Sequence, residues 1–229
     1  MSLPDDLSTG APSAEPPLEV GVLLFRGVEP LDAIGPAEVF WSLASVRPFV
    51  APFRPVNVRL VAGTAGPIEL GYGFVVHADT GYADCPPLDV LVVPGGTGGD
   101  EDDATARAGR RFYERHEPTV AFVRNQARST QIVASVCTGT FLLAGAGLLA
   151  GRTVNTHWTA RDELAAKMAA RGEAVTIEAA RVVDDGDVVT AGGVSSGIDL
   201  ALHVVGRLLG DQVAGAAALA IERETPVPA

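Results

Sequence analysis

The residues of this sequence most suggestive of chemistry form a Cys-Thr-Gly turn that begins at Cys137. Residues 131–136 (QIVASV) before it are largely apolar and predict a strand, and residues 141–144 (FLLA) after it favour a helix. A sharp strand-to-helix turn of this kind, a nucleophile elbow, lifts one side chain above the end of a sheet. Unpaired N–H groups at a helix N-terminus also favour a thiolate. We therefore predict that Cys137 is a nucleophile, with a buried structural cysteine as the alternative.

Three acidic residues are candidates for proton transfer with this thiol. Asp32 follows the first predicted strand, and Glu29 and Glu38 belong to the same stretch, EPLDAIGPAE over residues 29–38. An acid at this strand end could reach Cys137 across a crevice and act as an acid or a base. We choose Asp32 because Glu38 falls in the middle of a predicted helix, where it is expected to face solvent, and Glu29 stays as the other alternative. The alternative role of Asp32 is to cap that helix.

A glycine pair and a histidine follow other predicted strands. Gly95 and Gly96 end the strand over residues 89–93, and their N–H groups together with that of Thr138 could form an oxyanion hole. The alternative for this pair is a tight turn with positive φ. His157 could pair with Cys137 as a base. No acid is spaced to orient His157, so a structural or pocket-lining role is the preferred prediction.

The elements around these residues alternate between strands and helices. Hydrophobic patterning predicts strands over residues 18–25, 57–62, 89–93, 131–136, 153–155, 174–177, 180–184 and 188–191, a hairpin over 67–77, and helices over 30–46, 119–128, 159–171 and 195–209, followed by a final Ala-rich helix. This order predicts an α/β fold with a doubly wound, mostly parallel sheet and helices on both faces. Ligands bind such sheets beyond the carboxyl ends of the strands, where loops 29–36, 95–99 and 137–139 are expected to meet.

Length and composition exclude several classes of protein. The 229 residues suffice for one domain, predicted over residues 18–229 after a disordered tail over residues 1–17. A formal net charge of −11 without a Lys/Arg cluster predicts no nucleic-acid or membrane partner. Two cysteines and four scattered histidines predict neither a disulfide framework nor a metal site. The absence of a signal-like start and of a long apolar run predicts a cytoplasmic location.

Taken together, these segments resemble the ThiJ/PfpI superfamily from Val20 to Leu209. The matching motifs are LDAIGPAEVF (31–40), VPGG (93–96), VCTG (136–139), GLLAGR (147–152), NTHW (155–158) and TAGGVSSGID (190–199). The resemblance implies a flavodoxin-like, class I glutamine amidotransferase-like fold. The motif set is most similar to the isonitrile hydratase branch, which implies catalytic roles for Asp32, Cys137 and Thr138. It also implies that Gly192 and Gly193 line the substrate site.

Departures from other branches of the superfamily support this choice. Protease-like members carry His directly after the nucleophile, where this chain has Thr138, and deglycase-like members carry Glu in place of Asp32. AraC-type regulators share the motifs but continue into a DNA-binding domain, which is not expected here because the sequence ends at Ala229. Ala33 and Asn155 differ from the residues that hydratases often carry, which bears on the substrate pocket rather than on the chemistry.

The residues and the resemblance together predict a cofactor-independent hydro-lyase. It would add water to an isonitrile through a Cys137 thioimidate, with Asp32 as acid and base, and release an N-substituted formamide. The alternatives are a non-catalytic small-molecule or redox sensor and a glyoxalase or deglycase. A homodimer is also predicted, because Phe40 and Trp41 are adjacent on a helix and one of them should face outward.

Overall fold

The computed structural model describes residues 15–50, 52–96 and 108–223. In chain order its strands are β1 (Leu18–Leu23), β2 (Val56–Ala62), β3 (Gly66–Glu69), β4 (Val75–Ala78), β5 (Thr80–Gly81), β6 (Val90–Val93), β7 (Ile132–Val136), β8 (Thr153–Val154), β9 (Thr176–Ile177), β10 (Val182–Asp185) and β11 (Val188–Ala191). Its α-helices are α1 (Pro30–Val46), α2 (Gly109–Tyr113), α3 (Glu117–Gln126), α4 (Thr140–Gly145), α5 (Arg161–Ala170), α6 (Ser196–Leu209) and α7 (Asp211–Ala220). Short 3-10 turns cover Arg47–Phe49, Gly71–Gly73, Cys137–Gly139 and Trp158–Ala160.

Seven strands form the central sheet in the order β10-β11-β7-β6-β1-β2-β5. All neighbouring pairs are parallel except β10 and β11, which are antiparallel. β6, β7 and β11 are buried along their whole length, as expected for strands covered on both faces. The prediction of a doubly wound, mostly parallel sheet is confirmed. Two small sheets, β3-β4 and β8-β9, lie outside it.

Two groups of helices cover the sheet. α1, α6 and α7 pack on one another and on strands that include β2, β7 and β11, while α2, α3 and α4 pack together and on β6 and β7. These six helices are therefore arranged in two layers around the buried apolar strands, while α5 packs against β9 of a small separate sheet. Among the described residues, no helix combines the length and the apolar character needed to cross a bilayer.

The chain reverses its direction of travel across the sheet between β1 and β6. From β1 it moves outward to β2, and it later returns to β6 on the other side of β1. The loops that follow β1 and β6 meet at this point, where Val28 forms an isolated bridge with Gly96 and the Glu29 N–H donates to the Gly95 carbonyl at 3.2 Å. A crevice at such a switch point is the expected ligand site of this architecture.

Most predicted elements are present, with shifts of a few residues at their ends. The bounds of α1 and β11 agree with the prediction, and the β3-β4 hairpin is confirmed. Ser195 occupies the N-cap position of α6, but its side chain makes no capping bond and instead accepts from Arg181 at 3.1 Å. His203 of α6 is exposed and pairs with Asp184. Residues 1–14 of the predicted tail and residues 97–99 of the predicted glycine loop lie outside the described residues.

Candidate active site

Cys137 lies on a strained turn between β7 and α4. Its φ is 56°, in the left-handed region that non-glycine residues rarely adopt. A backbone held in such a region costs roughly 1–3 kcal/mol and persists only where the surroundings enforce it. The side chain is 7% exposed at the carboxyl end of the strand. The predicted strand–turn–helix geometry is therefore present, while the nucleophilic role of the thiol is a proposal developed below.

Two glycines allow the β6 loop to lie directly against this turn. A Cβ on Gly139 would lie 2.1 Å from the carbonyl oxygen of Val93, and a Cβ on Gly95 would lie 2.6 Å from both the nitrogen and Oγ1 of Thr138. Neither glycine has a positive φ. Close approach of two backbones, rather than the positive φ considered for the Gly95 turn, is thus why glycine is needed here.

Asp32 is the carboxylic acid that the fold brings to Cys137. It lies within the first turn of α1, whose N-cap residue is Glu29, so it does not cap the helix. Its side chain is wholly buried. Oδ2 of Asp32 accepts the Gly95 N–H at 3.0 Å. Oδ1 is buried and, within the described part of the chain, accepts no bond from an N–H or O–H group. Of the two rival acids, Glu38 is exposed and Glu29 bonds to Tyr72.

Burial changes the acidity of both groups. It raises the pKa of Asp32 to about 7, opposed by the Gly95 hydrogen bond and the Cys137 contact and reinforced by the charge of Glu29. Burial, followed by the charge of Asp32, raises the pKa of the Cys137 thiol to about 12. The predicted thiolate-favouring effect of the N–H groups at the elbow is outweighed, because burial and the charge of Asp32 disfavour the thiolate more strongly. At neutral pH, Asp32 is therefore partly protonated and the Cys137 thiol is almost wholly protonated.

Two of the three N–H groups predicted to form an oxyanion hole are already engaged by side chains. The Gly95 N–H is engaged by Asp32, and the Gly96 N–H donates to Thr138 Oγ1 at 3.2 Å. These two glycines therefore hold the acid and Thr138 in place instead of forming an open oxyanion hole. The backbone N–H groups of Thr138 and Val194 interact with the Cys137 sulfur and lower the pKa of its thiol. Val194 was missed, although it directly follows the Gly192-Gly193 pair that the sequence singled out.

His157, Gly192 and Gly193 lie on the loops beside this sulfur. The His157 ring packs on Gly193, where an added Cβ would lie 3.0 Å from its Cδ2 atom. Its Nδ1 pairs with Thr159 Oγ1 at 2.8 Å, and in the described structure it makes no hydrogen bond to Cys137 or Asp32. The N–H of Gly192 donates to the Arg181 carbonyl at 3.1 Å. The geometry thus matches a lining position for His157 rather than a base paired with the thiol.

A buried layer of hydroxyl groups lies beneath the turn, and sequence reasoning did not identify it. Thr156 Oγ1 donates to the Cys137 carbonyl at 2.9 Å, and Thr140 Oγ1 donates to the Asn155 carbonyl at 2.8 Å. Ser135 Oγ lies 2.9 Å from Thr140 Oγ1. Thr156 belongs to the NTHW motif, in which the sequence analysis selected His157 because histidine is a common catalytic base. A buried threonine hydroxyl that bonds to a backbone carbonyl cannot be recognised from residue type alone.

Metal and thiol chemistry elsewhere in the described chain is sparse. No group of three or more His, Cys, Asp or Glu side chains within residues 15–50, 52–96 and 108–223 is placed to hold a metal ion. Cys85 and Cys137 are both free. The two titratable groups that contact each other at this site are Asp32 and Cys137.

Comparison with known proteins agrees with the fold and with the motifs. Residues 19–207 match the DJ-1/PfpI family. The isonitrile hydratase of Pseudomonas putida is 36% identical over 205 residues, which cover 90% of this chain and 78% of that protein. The Parkinson disease protein 7 homolog of Danio rerio is 27% identical, covering 84% of this chain and 90% of that protein.

A solved structure gives the same result in three dimensions. The crystal structure of a ThiJ/PfpI family protein from Pseudomonas syringae superposes with a TM-score of 0.79 and 27% identity, covering 99% of this chain and 84% of that one. The match extends over the elbow, the VPGG loop and the first helix, which contact one another around Cys137. The chain therefore belongs to the DJ-1/PfpI family.

Proposed function

We propose that this protein is an isonitrile hydratase that converts R–N≡C and water into the formamide R–NH–CHO. The observation that carries the proposal is the buried Asp32, which holds a proton near neutral pH directly beside the Cys137 thiol. An isonitrile has a lone pair on its terminal carbon, so it reacts with an acid before it reacts with a nucleophile. The similarity to the Pseudomonas putida enzyme supports the same substrate class.

In the first step, Asp32 protonates the terminal carbon of the isonitrile. Because the Gly95 N–H occupies Oδ2, the proton of the neutral acid is placed on Oδ1, the oxygen without an N–H or O–H partner. A pKa of about 7 leaves a large fraction of Asp32 protonated at neutral pH. Protonation converts the carbon into a strong electrophile and leaves Asp32 as a carboxylate.

In the second step, the Cys137 sulfur attacks this carbon and forms a C–S bond. The S–H proton passes to the carboxylate of Asp32 as the bond forms, which yields the thioimidate R–N=CH–S and regenerates the neutral acid. A thiol with a pKa of about 12 is almost wholly protonated at rest. The proton acceptor created in the first step is therefore needed for the second.

In the last step, water adds to the thioimidate carbon and the C–S bond breaks. Asp32 donates a proton to the nitrogen and takes one from the water, and the released sulfur regains its proton. The sum is R–N≡C + H₂O → R–NH–CHO, so no further reagent is consumed. Thr138, held by Gly96, and the N–H groups at the sulfur would position the reacting group.

The same site was also considered as a sensor or as a glyoxalase or deglycase. The proteins that resemble this chain include a deglycase and transcriptional regulators. Both alternatives begin with attack by the sulfur, and the thiol is largely protonated at neutral pH, so each would need Asp32 in its carboxylate form before the reaction starts. We therefore place these functions second to a reaction that begins with protonation.

The deciding experiment is incubation with cyclohexyl isocyanide and detection of N-cyclohexylformamide by mass spectrometry. Wild-type protein should form the product, while Cys137→Ala and Asp32→Asn should not. Methylglyoxal is supplied in a parallel reaction as the competing substrate. Absence of formamide with folded wild-type protein, or undiminished formamide with Cys137→Ala, would refute the proposal.

Three further assignments complete this proposal. The protein acts without a cofactor on a small molecule, it binds neither nucleic acid nor membrane, and it is a cytoplasmic homodimer. The dimer proposal is supported by α1, where Phe40 is buried while its neighbour Trp41 is 41% exposed. An outward-facing aromatic side chain is suited to contact with a second copy of the chain.

A further inference from the structure

The two N–H groups that face the Cys137 sulfur share a structural feature. One belongs to the peptide between Cys137 and Thr138, and the other to the peptide between Gly193 and Val194. The described peptide bonds are trans. The C=O and N–H of a trans peptide point in opposite directions, so anchoring the carbonyl of one of these peptides also aims its N–H.

Both carbonyls are anchored by buried hydroxyl groups on the side away from the sulfur. The Cys137 carbonyl accepts from Thr156 Oγ1 at 2.9 Å. The Gly193 carbonyl accepts from the Ser196 N–H at 2.8 Å and from Ser196 Oγ at 2.9 Å. Thr156 and Ser196 are almost completely buried. A hydrogen bond to a carbonyl also polarises its peptide and strengthens the opposite N–H as a donor.

We propose that Thr156 and Ser196 are positioning residues that hold the Thr138 and Val194 N–H groups as a two-donor site for the Cys137 sulfur. The site stabilises negative charge on sulfur when the C–S bond breaks. That consequence rests on the proposed hydratase function, whereas the aim of the two N–H groups does not. Thr156 is distant in sequence from Cys137, so its bond is a tertiary contact. The Ser196 bond to Gly193 is a local one of the kind that also stabilises helix starts.

The test measures the ionisation of the thiol and not only turnover. Thr156→Val and Ser196→Ala each remove one hydroxyl anchor and nearly preserve side-chain volume, and Cys85→Ser in all proteins leaves Cys137 as the single thiol. Alkylation by iodoacetamide is followed by intact mass as a function of pH. Since a hydrogen bond to a charged group is strong, we expect each variant to alkylate about five- to tenfold more slowly at a given pH.

Conservative variants and a matched control separate positioning from stability. Thr156→Ser and Ser196→Thr keep the hydroxyl group and should restore the alkylation profile. Thr119→Val is the control, because Thr119 is equally buried and its hydroxyl pairs with Tyr82 and His116. That variant should lose stability and keep the alkylation profile of the parent.

The outcomes separate this proposal from the proposed function. If folded Ser196→Ala and Thr156→Val alkylate like the parent protein, the two-donor site is refuted, whether or not isonitrile is hydrated. If alkylation slows and the conservative variants restore it, the site is supported even if no formamide is formed. If Thr156→Val does not fold, the other variants still test the two-donor site. Thr156→Ser must then preserve the alkylation profile, and Ser196→Ala must slow alkylation.

Discussion

Replacing Asp32 with asparagine should stabilise the protein above neutral pH while removing its activity. Burial raises the pKa of Asp32 from 3.8 to about 7, so the folded state binds this proton more tightly than the unfolded state does. At about 1.36 kcal/mol per pKa unit, this difference amounts to roughly 4 kcal/mol. Asparagine has nearly the same shape and can still accept the Gly95 N–H, but it carries no charge.

The sign of the effect follows from proton linkage. Below pH 3.8 the carboxyl group is protonated in both states, and the fold retains the whole contribution of the neutral acid. That contribution is lost as pH rises from 3.8 through about 7, where only the folded state still binds the proton. The stability gained by Asp32→Asn should therefore be near zero at the lower end of this window. Above the upper end of the window, the gain should approach about 4 kcal/mol. This energy is an upper limit, because local relaxation lessens the desolvation of the charge.

Urea denaturation at several pH values across this window measures the free energy of unfolding directly. Glu38→Gln is the matched control, because Glu38 lies exposed on the same helix and should show only a small change. The kcat for isonitrile should fall by two or more decades in Asp32→Asn, since the proton donor is gone. Two outcomes would refute this account of the buried acid. The first is an Asp32→Asn variant whose stability shows the same pH dependence as that of the wild type, and the second is a variant that is less stable than the wild type above pH 7.

Further outcomes test the other parts of the site. The kcat/KM for isonitrile should decline above about pH 7 with a slope of one, because the protonated form of Asp32 starts the reaction; a flat profile to high pH would contradict this order of steps. Cys137→Ala should retain less than about a tenth of wild-type turnover while melting normally, and greater residual activity would exclude covalent catalysis. Gly139→Ala should lower the melting temperature sharply or prevent folding, because its Cβ would lie 2.1 Å from the Val93 carbonyl, as circular dichroism would show. In sedimentation, the wild type should exceed its chain mass of 23.6 kDa and Trp41→Glu should approach it; a monomeric wild type would rule out the dimer.

Local patterning was sufficient to predict the elements that carry the site. α1 was predicted over its observed span because Pro30 can begin a helix and apolar residues recur along its buried face. The β7 strand and the turn at Cys137 were predicted from a short apolar run followed by small residues and helix formers. Alternation of strands and helices then predicted a parallel sheet, so the carboxyl ends of distant strands could be expected to meet.

The acidity of the site and the partners of its N–H groups were decided by the tertiary structure. The thiol pKa depends on how much water is excluded from Cys137 and on the charge of Asp32, which belongs to a distant part of the chain. The Gly95 N–H was engaged by Asp32, and Val194 and Thr156 reached the turn from other loops. Desolvation and the direction of a peptide group depend on neighbours in space, whereas periodicity along the chain reports only which face of an element is buried. For this reason the sequence identified Asp32 and Cys137 as the candidate pair, whereas the raised pKa values of the acid and the thiol follow from their burial together in the fold.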